Sequence, residues 1–183
     1  KDGRWQLRTY DLRDYGLGKH RNVDDTPAGG GAGMVLRADV LEAAITDARA
    51  SAKGVMPILY LSPRGKRMDQ AMMRGLAENT NGVTLLCGRF EGVDERVLEH
   101  FGIQEVSLGD FVMTGGELAA QALIDATGRL LPGVLGNAGS AVGEAVSAGL
   151  PEHPPFPKPP SGQRPPYPAV SRAAPDVRAR PWS

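Results

Sequence analysis

The chain has 183 residues, which is enough for one domain with a buried core and an additional segment. Its 21 basic and 21 acidic residues cancel, so composition does not indicate a general nucleic-acid-binding protein. Cys87 is the only cysteine, which excludes an internal disulfide and a CxxC metal site, and no apolar run of about 18 residues could span a membrane. We therefore expect a soluble, cytoplasmic protein.

The first half of the chain predicts a helix followed by a strand. Asp39 is typical of a helix N-cap, and Glu42 follows three residues later, as in a capping box. The apolar run over residues 55–61 predicts a buried strand, and the Ser-Pro-Arg-Gly sequence after it predicts a loop. Apolar residues recur at helical spacing after Asp39, at Val40, Leu41, Ala44, Ile45 and Ala48.

Helical and strand patterns alternate in the next part of the chain. Thr114 and Glu117 have the spacing of a second capping box and predict the start of a last helix. Met72, Met73 and Leu76 are expected in the core. The predicted elements before that last helix are a helix at 69–79, a strand at 82–87, a short helix at 94–101 and a strand at 103–108.

Strands that are apolar throughout and separated by helices predict an α/β fold, with a mostly parallel sheet and helices on both faces. In such sheets, ligands bind beyond the carboxyl ends of the strands. Three loops follow the predicted strands: the first loop (residues 62–66), the second loop (residues 88–94) and the third loop (residues 109–116). They hold most of the glycine and polar residues of this part, so we expect the functional site there. Tight turns without a ligand are the alternative interpretation.

Proline dominates the end of the chain, where eleven of the fifteen prolines lie in residues 151–183. Because proline lacks a backbone donor and disrupts helices, we expect this segment to be an extended or disordered tail. The core domain is expected to be residues 1–150. Since the sequence from Lys1 already reads as the interior of a domain, we also expect a preceding strand to be missing.

Several common site signatures are absent. Residues 29–34 do not complete GxGxxG because Met34 occupies the last position, and no GxxxxGK[ST] motif occurs. There is no GxSxG nucleophile elbow and no pair of histidines with zinc spacing. Cys87 ends a predicted buried strand and is interpreted as a packed thiol rather than a nucleophile. The basic run at residues 19–21 fits either a small basic patch or solvated surface.

Five sequence blocks are specific when taken together. In order, they are RNVDD at 21–25 with the glycine run at 29–34, YLSP at 60–63, CGRFEGVDER at 87–96, SLGDFVMTGGEL at 107–118, and Arg129 with PGVLG at 132–136. Their order and spacing closely resemble the bacterial tRNA (guanine-N1)-methyltransferases that modify guanine 37, next to the anticodon. The resemblance covers about residues 5–156.

This resemblance implies membership of the TrmD family of SPOUT class, with a deep trefoil knot, a rare exception to the rule that chains do not thread loops. It implies S-adenosylmethionine as methyl donor, tRNA as substrate and an obligate homodimer with the active site across the subunit interface. Magnesium is implied in the same way, without an assigned ligand. The family continues into a helical C-terminal domain, where this chain instead has its proline-rich segment.

The resemblance assigns the donor site to the three loops. Glycine lets the backbone approach a ligand closely, Phe111 and Met113 are expected to cover the adenine, and Glu91 is expected to face the positive end of the donor. The expected donor-binding residues are Tyr60, Leu61, Ser62, Pro63, Gly88, Phe90, Glu91, Gly92, Leu108, Gly109, Asp110, Phe111, Val112, Met113, Gly115 and Gly116.

Methylation of guanine N1 requires removal of its proton, and a cation near O6 would stabilise the charge that develops. The resemblance places the general base at Glu144 and the O6-stabilising arginine at Arg129. The family uses aspartate as the base. Glutamate has one methylene more, and a misplacement of about 1 Å can cost about a hundredfold in rate. The alternatives are a solvated carboxylate at Glu144 and a helix-capping role for Arg129.

The resemblance also places residues 20–34 near the tRNA and the dimer interface. Arg21 is expected to contact phosphate, and Asp25 to belong to the same RNA-binding surface. Gly30 and Gly31 are expected to let RNA approach the backbone. Ordinary turn chemistry before Pro27 is the alternative for Asp25.

Two functional hypotheses follow. In the first, the chain is a working tRNA methyltransferase. In the second, it is a knotted domain that binds the donor and dimerises without turnover, because the C-terminal domain is missing. A third and weaker hypothesis is an unrelated nucleotide-binding α/β protein.

Overall fold

The computed structural model describes residue 3, residues 5–52 and residues 54–134. The expected domain boundary at residue 150 and the proline-rich tail lie outside these residues, so both stay predictions. The elements in chain order are a 3₁₀ helix Leu12–Tyr15, β1 Asp24–Asp25, β2 Val35–Leu36, α1 Ala38–Ala50, β3 Ile58–Arg67, α2 Gln70–Glu78, β4 Thr84–Cys87, α3 Glu95–Phe101, β5 Gln104–Ser107 and α4 Glu117–Gly128.

A three-stranded parallel sheet in the order β4–β3–β5 organises the described chain, while β1 and β2 form a short antiparallel pair. Within the sheet, β3 aligns Leu61 with Cys87 of β4 on one side and with Val106 of β5 on the other. The chain therefore moves in one direction from β3 to β4, then reverses past β3 to reach β5. Right-handed connections in opposite directions place their helices on opposite faces of the sheet. A reversal of this kind is where open α/β sheets bind ligands.

Side chains of β3 alternate between two hydrophobic cores on opposite faces of the sheet. Ile58 and Tyr60 belong to the core that contains residues of α1 and α3, whereas Leu59 and Leu61 belong to the core that contains residues of α2 and α4. This two-residue period is that of a strand buried on both faces. The prediction of an α/β fold with a parallel sheet between helices is confirmed for the described residues, and the trefoil knot stays a prediction.

Helix α1 begins earlier than its predicted cap. Its N-cap is Arg37, which makes no capping hydrogen bond through its side chain, so the prediction of Asp39 as N-cap is wrong. Asp39 lies in the first turn, where its carboxylate accepts a 2.8 Å bond from Arg37 and a 3.0 Å bond from the backbone N–H of Val40. The predicted apolar stripe is confirmed, since the buried residues of α1 are Val40, Leu41, Ala44, Ile45 and Ala48.

Strand β3 differs from its prediction at both ends. It begins at Ile58, three residues after the predicted start, and Val55 is exposed. It continues to Arg67, so the predicted end at Leu61 is wrong. Leu61 and Lys66 both align with Val106 of β5, so residues 62–65 leave the ladder and return to it. We call these four residues the excursion; they belong to β3, so the loop predicted after Leu61 is an irregularity within the strand.

Helices α2 and α3 agree with their predictions and have side-chain caps. Asp69 accepts a 2.8 Å bond from the backbone N–H of Met72 at the start of α2. Asp94 accepts a 3.0 Å bond from the backbone N–H of Arg96 at the start of α3. In α2, Met73 is buried, and Met72 and Leu76 pack against the same core.

Helix α4 begins one residue after Gly116, which is its N-cap, and no side chain caps it. The prediction of a capping box at Thr114 and Glu117 is therefore wrong. The physical reason is that the Glu117 carboxylate pairs with Arg89 of the second loop instead. Leu123 is buried, and Leu118 is exposed.

Candidate donor-binding site

The ends of two strands and the start of α4 meet at Gly116. The backbone N–H of Gly116 donates a 3.2 Å hydrogen bond to the carbonyl of Gly88, just after β4. A Cβ atom placed on Gly116 would lie 3.0 Å from the Cα of Cys87 and 3.1 Å from the Cβ of Leu61. The second and third loops are therefore in direct contact, and both lie beside Leu61, where the first loop starts.

A cleft of about 240 Å³ lies between the excursion and the third loop. Ser107 at the end of β5 shapes its floor, since its Oγ donates a 2.8 Å bond to the carbonyl of Gly109. Ser107 and Ser62 are the two buried polar side chains recorded for the described core. The cleft is lined by Pro63, Gly65, Arg67, Ser107, Gly109 and Asp110. Four of these six residues belong to the first and third loops that were predicted to carry the site.

Tyr60 supports the second loop from below. A Cβ on Gly88 would lie 2.6 Å from the Tyr60 ring, and a Cβ on Gly92 would lie 3.3 Å from its hydroxyl oxygen. Burial is the main reason that the pKa of Tyr60 is raised above its usual value. Between the two glycines, Phe90 has a φ of 60°, a conformation that costs energy in a residue other than glycine. This strain indicates a loop held in one shape by its neighbours.

Large apolar side chains stand exposed on the second and third loops. Phe90 is 57% exposed, Phe111 55% and Val112 81%. The Phe111 ring lies over Gly109, where a Cβ would overlap with it. Exposed apolar groups next to glycine backbone can cover a flat heterocycle while the backbone supplies hydrogen bonds. This edge therefore combines exposed apolar side chains with glycine backbone.

An ion pair that the sequence did not predict joins the second loop to α4. Arg89 donates to Glu117 from Nε at 2.9 Å and from a terminal nitrogen at 2.8 Å. Gly115 lies against this pair, since a Cβ there would be 3.1 Å from Nε of Arg89. The two residues are 28 positions apart, and only their opposite charges beside glycine loops could have suggested the contact.

The glycine run at residues 29–34 contacts the second loop. The backbone N–H of Glu91 donates to the carbonyl of Met34 at 2.9 Å, and that of Leu36 donates to the carbonyl of Gly92 at 3.0 Å. Gly33 has a φ of +99°, and a Cβ on it would lie 2.6 Å from Oε1 of Glu91. The segment expected to hold RNA is therefore attached to the loop expected to hold the donor.

The expected RNA-binding residues lie on exposed turns. Arg21 has a φ of 51° and forms a 3.1 Å ion pair with Asp14. Asp25 accepts a 2.8 Å bond from the backbone N–H of Thr26, which is the turn chemistry named as its alternative, and it also pairs with an arginine at the start of α1. Gly30 and Gly31 have positive φ and open space around them. Of the four residues, these two glycines leave the most room for a large partner.

Neither of the two expected catalytic residues, Arg129 and Glu144, is described at this edge of the sheet. Arg129 is the C-cap of α4, at the opposite end of the helix from Gly116. Twelve residues at 1.5 Å per residue separate the two ends by about 18 Å. Glu144 lies outside the described residues. Within one chain, Arg129 therefore does not join the three loops.

Cys87 is half-buried, and burial is the main reason that its pKa is raised, so the thiolate is disfavoured. This environment agrees with the interpretation as a packed thiol. Across residues 5–52 and 54–134, no group of three or more His, Cys, Asp and Glu side chains is placed to hold a metal ion. In the same part of the chain, no helix has the length and apolar character needed to cross a bilayer.

Comparison with known proteins identifies relatives of this chain. The chain is 64% identical over 182 residues to the tRNA (guanine-N(1)-)-methyltransferase of Ruegeria pomeroyi. The matched residues cover 100% of this chain and 74% of that relative. Identity to the protein of the same name from Ruegeria sp. is 66% over 177 residues, or 97% of this chain and 69% of the relative. A third such protein, from Roseobacter denitrificans, is 67% identical over 159 residues, or 87% and 66% of the two lengths. The profile of the family described as tRNA (Guanine-1)-methyltransferase TrmD matches residues 1–176, so the chain belongs to this family of methyltransferases.

Proposed function

We propose that this chain transfers the methyl group of S-adenosylmethionine to N1 of guanine 37 in tRNA. The observation that carries this proposal is the meeting of the second and third loops at Gly116, beside the excursion, at the reversal point of a parallel sheet. Membership of the TrmD family supplies the reaction. The donor-binding residues of the three loops are supported by the geometry and by the resemblance of their motifs, whereas Glu144 and Arg129 rest on the resemblance alone.

The donor would lie against the three loops, in contact mainly with backbone. Exposed Phe111 would cover the adenine, and the Glu91 carboxylate would attract the positively charged sulfonium end. The remaining donor-binding residues are the others that the resemblance assigns to the three loops, from Tyr60 to Gly116. This assignment is supported by the glycines at 88, 109 and 116, where added side chains would meet neighbouring atoms.

The guanine would be activated from a second direction. The Glu144 carboxylate would accept the N1 proton, and Arg129 would stabilise the negative charge that develops on O6. The N1 lone pair then forms a bond to the methyl carbon while the carbon–sulfur bond breaks, which leaves S-adenosylhomocysteine. Positioning of the two reactants supplies much of the rate enhancement in such a transfer.

A homodimer with the active site across its interface would explain where Arg129 lies. Since α4 carries this arginine about 18 Å from Gly116, an Arg129 from a second subunit would approach the guanine where that of the same chain lies far from the three loops. A knotted chain, a cytoplasmic location and a requirement for magnesium belong to the same proposal and rest on the family. Arg21, Asp25, Gly30 and Gly31 would contact the tRNA.

The proposal is tested with the full chain in two measurements. Calorimetric titration with S-adenosylmethionine measures donor binding, and a primer-extension stop on unmodified tRNA measures methylation at position 37. We expect both for the wild type, loss of the stop with Glu144→Ala, and retention of at least part of it with Glu144→Asp. Donor binding without a stop would favour a donor-binding domain without turnover, and an unchanged stop with Glu144→Ala would overturn the assignment of the base.

A further inference from the structure

Arg64 lies in the middle of the excursion and connects it to two other elements. Its terminal nitrogen donates to Oε1 of Glu105 in β5 at 3.1 Å and to Oε1 of Glu95, the first residue of α3, at 2.9 Å. Hydrogen bonds to Glu105 and Glu95 raise the pKa of Arg64, which is therefore always charged. One guanidinium thus holds β3, α3 and β5 together at the edge where the site lies.

We propose that Arg64 is a positioning residue that fixes the shape of the excursion and thereby sets the affinity for the methyl donor. This inference rests on the proposed function, because the excursion contains two residues expected to bind the donor. The neighbours of Arg64 on both sides, Pro63 and Gly65, line the cleft opposite the third loop. A shift of the excursion would therefore change the width of that cleft directly.

The backbone of the excursion has few other ways to hold its shape. Residues 62–65 have left the β3–β5 ladder, which resumes at Lys66. The Ser62 hydroxyl accepts a bond from the backbone N–H of Arg64, but this bond is long, at 3.3 Å. Gly65 packs directly on the backbone of β5, where a Cβ would lie 2.6 Å from the carbonyl oxygen of Glu105. The residue before Gly65 is Arg64, whose ion pairs with Glu95 and Glu105 hold the chain next to this close contact.

The same charges reach the second loop through Tyr60. Burial is the main cause of the raised pKa of Tyr60; the charges of Glu105 and Glu95 raise it further, and the charge of Arg64 lowers it. The Tyr60 hydroxyl faces Gly88 and Gly92 of the second loop. Loss of the Arg64 charge would leave Glu95 and Glu105 without their shared partner. The loops on both sides of the donor would be affected.

The effect is expected to be moderate, because the Arg64 side chain is 60% exposed and those of Glu95 and Glu105 are 62% and 26% exposed. Exposed ion pairs of this kind change equilibria by about threefold to fivefold each. We expect Arg64→Met to weaken binding of S-adenosylmethionine by about fivefold, Arg64→Lys to restore part of the loss, and tRNA affinity to stay unchanged. High salt should reduce the difference from wild type, since salt screens the ion pairs.

The matched control is Arg96→Met. Arg96, in α3, also forms an exposed ion pair, but with Asp94 two residues before it in the chain, at 2.6 Å. The experiment measures donor affinity by calorimetry and hydrogen exchange of the backbone amides of residues 64–66 in the unliganded full chain. We expect faster exchange and weaker donor binding with Arg64→Met, and neither with Arg96→Met.

Each outcome decides the inference. Equal effects of Arg64→Met and Arg96→Met, or no effect of either on donor affinity, would overturn it. Equal losses of donor and tRNA affinity would also overturn it, because they would indicate general unfolding. If the wild type binds no donor, the proposed function fails together with the role in donor affinity. Hydrogen exchange then still decides whether Arg64 holds the excursion.

Discussion

The Arg89 guanidinium donates to the Glu117 carboxylate at 2.9 Å and so ties the second loop to the first turn of α4. Both side chains are about half exposed, so the pair adds less than about 1 kcal/mol to the free energy of unfolding. Its importance lies in where it holds the chain. Gly115 and Gly116 end the third loop; Gly115 lies against this pair, and both glycines are expected to contact the donor.

Arg89→Met and Glu117→Gln should each weaken S-adenosylmethionine binding by up to about fivefold, with little change in the melting temperature. Because the two residues act as one pair, the double variant should bind no more weakly than the poorer single variant. Calorimetric titration of the three variants measures this. Additive losses in the double variant would show that the residues act separately.

Gly116→Ala should damage the site, and Gly75→Ala should not. Gly116 has a φ of −82°, which alanine adopts easily, so only the contacts of the new Cβ with Cys87 and Leu61 matter. We expect at least a tenfold loss of donor affinity and a destabilisation of about 1–3 kcal/mol. Gly75 lies in α2 with open space around it, so alanine there should stabilise the protein by about 1 kcal/mol. Thermal unfolding and donor titration measure both variants, and a wild-type affinity for Gly116→Ala would contradict the close packing.

Gly33→Ala should reduce methylation by at least about tenfold, whereas Gly29→Ala should be close to wild type. A side chain on Gly33 would displace Glu91 and would strain the backbone at a φ of +99°, at a cost of about 1–3 kcal/mol. Gly29 lies in the same run, with nothing near its Cβ position. The primer-extension assay compares the two. Adding Glu91→Ala to Gly33→Ala should recover part of the lost melting temperature where that loss came from the collision.

Tyr15 provides a test of the N-terminal packing through pH. Its hydroxyl donates a 2.5 Å bond to Asp47 of α1, which is the main reason that its pKa is raised from 10.0 to about 12. The folded state therefore keeps this proton between pH 10 and 12, while the unfolded state loses it. The stabilising contribution is complete below pH 10 and is lost as the pH rises through about 12.

Titration of tyrosine absorbance measures this shift. The Tyr15→Phe variant should lack a component that ionises near pH 12, and Tyr10→Phe should retain it. If Tyr15→Phe leaves the titration unchanged at high pH, the bond to Asp47 does not persist in solution.

Local patterns predicted the elements better than their ends. The buried stripe of α1 follows from helical periodicity alone, because one face of a helix is defined by residues within the same segment. The N-cap of α1 could not be predicted in this way, since the Asp39 carboxylate pairs with Arg37. Glu117 was likewise drawn away from capping by Arg89, a residue that lies far from it in sequence. Such competition is decided by tertiary contacts.

The meeting of the second and third loops was predictable, but its details were not. The glycine-rich sequences after β4 and β5 were expected at one edge of the sheet, and they meet there, because the carboxyl ends of parallel strands share one edge. The return of the excursion to β5 depends on pairing with residues some 40 positions later, which no local pattern contains. The separation of Arg129 from Gly116 likewise could not be predicted without knowing that α4 runs between them.

The alternation of β3 also bears on how such a domain could change over time. Because its odd and even side chains belong to different cores, a substitution in the layer of α1 and α3 has no direct packing neighbour in the layer of α2 and α4. Each layer could accumulate mutations, or be redesigned, independently of the other. Both layers would still carry a constraint from the site, since Leu61 of one layer lies against Gly116 and Tyr60 of the other lies against Gly88 and Gly92.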